Sequence, residues 1–136
     1  MTGGPTPADF DAWNEEKKAI HVTGRAPIFR EGQVWWCRLG VNVGSEVYGK
    51  GPQRTRPVIV LRKLSRESSI VVPVTSVQPS RVSDWYFPMR WSSRDQWVML
   101  HQVRMTSAAR LTSRMAELPE SDFRALKAAF RAFMGL

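Results

Sequence analysis

A chain of 136 residues with 43% hydrophobic side chains, six Trp and six Phe among them, has room for one ordinary domain and enough apolar mass to bury a core. No apolar run approaches the roughly 18 residues that cross a bilayer, the first eight residues lack a basic-then-apolar leader pattern, and the one cysteine, Cys37, excludes an internal disulfide and a zinc spacing; the chain is read as cytoplasmic. The formal charge of +8, with Arg outnumbering Lys 15 to 5, points to a polyanionic partner, because a guanidinium fork grips phosphate in two-pronged fashion.

The first 31 residues stand apart in charge. They hold five acids (Asp9, Asp11, Glu15, Glu16, Glu31) against four bases (Lys17, Lys18, Arg25, Arg30), whereas the remainder carries sixteen bases against seven acids. Thr6-Pro7-Ala8-Asp9 is a helix start, with a capping Thr, a first-turn Pro and an acid three residues on. Phe10, Trp13 and Ile20 share one face of a short amphipathic helix to about residue 22, with His21 facing solvent. Residues 1–30 are thus read as a helical extension.

From Gln33 the apolar period shortens. Residues 33–39 are β-branched, aromatic and brief, hence a strand. Residues 40–55 hold four glycines and a proline and form a long loop, of the kind that is usually functional in a compact domain. Strands are expected at 56–62, 70–75 and 85–91, then a central strand at 96–104 and a last one at 110–117. Phe123, Leu126, Phe130, Phe133 and Met134 form one stripe of a closing helix, beside a basic stripe of Arg124, Lys127 and Arg131. Short strands closed by an amphipathic helix predict an α+β domain built on a small, strongly curved barrel.

Six segments, in order, resemble the MazF/PemK family of toxin–antitoxin ribonucleases. They are Glu31-Gly32-Gln33-Val34-Trp35-Trp36, Val43-Gly44-Ser45-Glu46, Arg56-Pro57-Val58-Ile59-Val60-Leu61, Val72-Pro73-Val74-Thr75-Ser76, Met99-Leu100-His101-Gln102-Val103-Arg104 and Arg110-Leu111. The resemblance covers roughly 31–134 and assigns 31–136 to the toxin domain. It implies an SH3-like barrel that dimerises, an acidic antitoxin partner, and metal-independent, sequence-selective cleavage of single-stranded RNA, with no cofactor. This sequence departs from the family pattern in a longer loop, residues 48–55, and in Met105-Thr106-Ser107 where an acid often follows the Gln-x-Arg strand.

RNA carries its own nucleophile, the 2′-hydroxyl, so an enzyme has only to align it, move two protons and stabilise charge on the phosphoryl oxygens. The resemblance gives those tasks to Arg56 and Thr75, whose side chains must then converge on one cleft. Ser45, Glu46, Lys50, Arg54 and Ser76 are candidates to bind or orient the RNA; for Glu46 a structural role stays open. Gln102 and Arg104, alternating onto one strand face, line the RNA or brace the dimer. His101 falls on the opposite face. Lys50, Arg54, Arg62, Arg81, Arg90 and Arg94 are candidates for a phosphate track, and Trp85, Tyr86 and Trp91 for base stacking. A non-catalytic toxin on the same barrel, such as a topoisomerase poison, and an RNA-binding or degenerate toxin are the competing expectations.

Overall fold

The computed structural model describes residues 4–40, 42, 46–51, 54–80 and 83–136. Helix α1 (Pro7–Thr23) opens with the expected capping box: Thr6 accepts from the Asp9 backbone N–H while Asp9 accepts from the Thr6 backbone N–H. Of its predicted face only Trp13 is buried; Phe10 is exposed and Ile20 half-buried. His21 is exposed as expected.

Seven antiparallel strands follow: β1 (Gln33–Arg38), β2 (Thr55–Lys63), β3 (Ser68–Thr75), β4 (Tyr86–Trp91), β5 (Arg94–Met99), β6 (Arg104–Ser107) and β7 (Leu111–Glu117). They pair in the order β4-β5-β3-β2-β1-β7, with β6 on β3. Among the described residues no ladder joins β4 to β7, so the sheet is not closed. Helix α2 (Glu120–Met134) covers one face, where Leu126 is fully buried against Val34, Ile59, Val72, Val74 and Val98. The other face packs Trp35, Cys37, Leu39, Val58, Val60 and Val71 around Phe29. Strand alternation deals successive residues of β1, β2 and β3 to these two cores.

The structure corrects one expected strand. Residues 96–104 are not continuous: β5 ends at Met99, Leu100–Gln102 form a turn of 3-10 helix, and β6 starts at Arg104. The first part, β5, is an interior strand as expected, paired on both sides between β4 and β3. The cause of the break is Pro73. On this side of β3, β5 pairs with Val74 and Thr75 and β6 pairs with Ser68 through Val71, so the ladder breaks at Val72 and Pro73, where proline has no N–H to donate. The chain crosses that gap in the turn, dropping Leu100 into the core while its N–H bonds the Trp85 carbonyl at 2.8 Å. Gln102 and Arg104 therefore do not share a strand face.

Candidate active site

Strands β2 and β3 pair through Val58 and Pro73, and continuing that register by two residues sets Arg56 opposite Thr75 at the mouth of the pair. Arg56 is only 9% exposed. Its Nε donates to the Tyr48 carbonyl at 3.0 Å and one terminal nitrogen to the Val74 carbonyl at 3.3 Å. These bonds offset part of the cost of burying a cation, and burial holds its pKa below the usual arginine value. Thr75 is half-buried. Its hydroxyl oxygen accepts from the Val77 N–H at 3.2 Å, which leaves the hydroxyl proton to be donated elsewhere.

Both side chains line one open cleft of about 420 Å³. Lys50 and Arg94 stand in the same wall, with Ser76 and Gln96, and the described lining holds three cations and no carboxylate. Its aromatic surface comes from Trp91 and from Trp36, which is 37% exposed. Trp36 was not picked out from the sequence, although alternation carried the signal. Two adjacent tryptophans on a strand point to opposite faces, and Trp35, 6% exposed, takes the core. Trp91 and Arg94 flank a two-residue turn in which Ser92 and Ser93 both have positive φ, 52° and 59°. That is the backbone twist a tight hairpin requires.

The other candidates scatter. Ser45 and Arg81 lie outside the described residues, and Glu46 is exposed. Gln102 accepts the Val47 N–H at 3.1 Å and so holds the long loop rather than lining the cleft. Arg54 also stays out of the lining: it pairs with Glu16 at 2.7 Å and with Asp9 at 3.8 Å, both on α1. Arg104 and Arg62 border a separate apolar groove beside α2, and Arg90 pairs with Asp95 at 2.7 Å. His101 packs between Trp85 and Tyr86, with ring centroids 4.9 and 5.2 Å away, and burial lowers its pKa. Among the described residues no group of three or more His, Cys, Asp or Glu side chains gathers to hold a metal ion.

Residues 30–134 match the family of PemK-like, MazF-like toxins of type II toxin–antitoxin systems. The chain belongs to that family. No curated protein matches this MazF/PemK-type toxin. Its fold is similar to several solved structures at low sequence identity. A mycobacterial endoribonuclease in complex with its cognate antitoxin is 17% identical, with 82% of this chain and 97% of that one covered and a TM-score of 0.57. A MazF from Deinococcus radiodurans is 16% identical over 82% of this chain and 99% of its own, with a TM-score of 0.58. A Mycobacterium tuberculosis MazF toxin is 17% identical over 76% and 97%, with a TM-score of 0.56. No helix of the described residues is long and apolar enough to cross a membrane.

Proposed function

We propose that this toxin is an endoribonuclease that cuts single-stranded RNA at selected sequences by attack of the RNA's own 2′-hydroxyl. The observation that carries the reading is the convergence of Arg56 and Thr75 on a cleft whose described lining has three cations and no acid. A phosphodiester seated there meets the guanidinium of Arg56, which remains protonated at neutral pH and acts by stabilising charge rather than as a base. Thr75 donates its hydroxyl proton to a second phosphoryl oxygen. The 2′-oxygen bonds to phosphorus as the bond to the 5′-oxygen breaks; the 2′-proton is released and the leaving oxygen gains one. The products are a 2′,3′-cyclic phosphate and a 5′-hydroxyl end. Lys50 and Arg94 hold flanking phosphates, and Trp36, 37% exposed where Trp91 is only 9%, offers a face to an unpaired base.

The same reading takes 31–136 as a toxin domain on an SH3-like, rolled sheet, 1–30 as an extension to it, and the working unit as a homodimer. An acidic antitoxin segment covers the cationic cleft and excludes RNA. The deciding experiment incubates the purified protein with a long single-stranded RNA in EDTA. Discrete cuts with cyclic-phosphate ends are expected, and Arg56→Ala should lower cleavage at least a hundredfold, on the order of losing one oxyanion donor. Binding without cutting would return the non-catalytic alternatives, and full activity in Arg56→Ala would remove the site assignment.

A further inference from the structure

The Arg56 guanidinium is held by a backbone carbonyl of the long loop, and that loop is in turn held by the N-terminal helix. At the loop's root, Gly40 donates to the Arg54 carbonyl at 3.1 Å and Gly49 donates to the Gly40 carbonyl at 2.7 Å. Lys50 and Thr55 exchange both backbone bonds, at 2.9 and 3.1 Å. A Cβ on Gly49 would lie 1.7 Å from the Arg54 carbonyl oxygen, so the two limbs of the loop are in backbone contact. Tyr48, whose carbonyl accepts from Arg56 at 3.0 Å, is the neighbour of Gly49. Arg54 itself sits at a φ of 51°, a conformation that costs a non-glycine residue energy and persists only where its surroundings hold it.

Helix α1 grips this root at two points. Trp13 lies over Gly40 so closely that a Cβ there would meet its ring at 1.8 Å, and Arg110 packs on the same indole at 5.6 Å. Glu16 bonds Arg54 at 2.7 Å, and the Arg54 side chain is only 18% exposed. No α1 residue stands in the described lining of the Arg56–Thr75 cleft, so the helix touches the loop's root and not the seat of the phosphate.

We propose that helix α1 positions Arg56, with Glu16 and Trp13 as positioning residues that act through Arg54, Gly40 and the Tyr48 carbonyl. The catalytic consequence rests on the nuclease reading above; the mechanical coupling does not. Removing the Glu16 carboxylate loosens the loop root, lets the Tyr48 carbonyl drift, and spreads the guanidinium over orientations in which it misses the phosphoryl oxygens. Phosphate still binds, because Arg94 lies on β5, away from the loop, and the two backbone bonds between Lys50 and Thr55 are not removed by the substitution.

The test compares the parent protein with Glu16→Gln, Glu16→Asp and, as a surface-charge control, Glu15→Gln, whose residue pairs with Lys18 on the exposed side of α1. Two quantities are read: the kcat and KM of RNA cleavage, and the hydrogen-exchange rate of the Arg56 Nε–H by NMR. In Glu16→Gln, kcat should fall roughly ten- to a hundredfold with KM within about twofold, the loss expected when a reacting group is displaced by about an ångström. Exchange at Arg56 Nε should quicken in step, Glu16→Asp should recover most of both, and Glu15→Gln should change neither. Unchanged exchange and kcat would overturn the proposal, as would a loss confined to KM. A rise in cleavage would also overturn it, since Glu16 would then be an acid that competes with RNA for Arg54. If the parent protein cuts no RNA, the nuclease reading falls, and Nε–H exchange alone decides the coupling: faster in Glu16→Gln upholds it, unchanged refutes it.

Discussion

Cys37 shows how burial at a single residue sets its chemistry. Its side chain faces the core with Trp35, Leu39 and Val58, and is fully buried. Desolvation raises its pKa from 9.0 to about 11, against smaller opposing effects of Arg110 and Arg104. The folded thiol is therefore expected to resist alkylation at pH 8 and to react at an ordinary rate once denatured. The linked effect on stability has a definite sign. Below pH 9 both states carry the proton and nothing is lost; between pH 9 and 11 the unfolded chain ionises while the folded one does not. Stability should fall by about 2 kcal/mol by pH 11 from this group alone. Urea titrations of Cys37→Ala and the parent at pH 8 and pH 11 would isolate it, and an equal pH response in both would refute the assignment. Arg56 is shifted by the same physics in the other charge type, and the bonds to two carbonyls let it remain a cation beneath the surface.

Among the elements, the β4–β5 hairpin shows local sequence yielding to tertiary demand. Its turn needs two positive φ angles, and Ser92 and Ser93 supply them without glycine or asparagine. A left-handed conformation costs an L-residue roughly 1–2 kcal/mol. Ser93→Gly is expected to stabilise the protein by about 1 kcal/mol, after the extra entropy of an unfolded glycine is subtracted; a thermal melt with no rise in Tm would contradict it. Helix α1 is the converse case, in which sequence and structure agree. The Thr6–Asp9 capping box starts it where the sequence says it should. Its buried face is narrower than the sequence predicts: Trp13 is its one buried residue, Phe10 stays exposed, and the helix's other hold on the body is the ion pair of Glu16 with Arg54.

At the scale of the whole molecule the described residues leave an apolar groove of about 610 Å³ between α2 and the sheet, lined by Leu61, Ile70, Val103 and Phe130. Met105 and Leu136 border it, 61% and 85% exposed. Two-fold pairing across this face would bury them. Arg62, Arg104, Lys127 and Arg131 also line the groove, so pairing brings like charges together. The dimer is accordingly expected at micromolar concentration by sedimentation, tighter at high salt as the rim is screened, and monomeric in Met105→Lys. A monomer at every salt concentration would dispose of this interface.

Much of this was legible in the amino-acid order. The two helices, the strands of β1 through β4 and the charge contrast between the first 31 residues and the rest follow from local period, capping chemistry and composition, which neighbouring residues determine by themselves. Arg56 and Thr75 came from ordered motifs, and strand alternation would have yielded Trp36. The break between β5 and β6 was not legible, because it depends on which edge of β3 Pro73 presents to a partner some thirty residues away. Nor was the fate of Arg54, one cation among many until α1 docks and brings Glu16 to it from 38 positions away in the chain. Sequence alone set the helices, most of the strands and the chemistry available at each position. The tertiary structure decided which cations face a common cleft and which are neutralised at a brace, because Coulomb and hydrogen-bond partners are chosen by distance in space, which chain order does not contain.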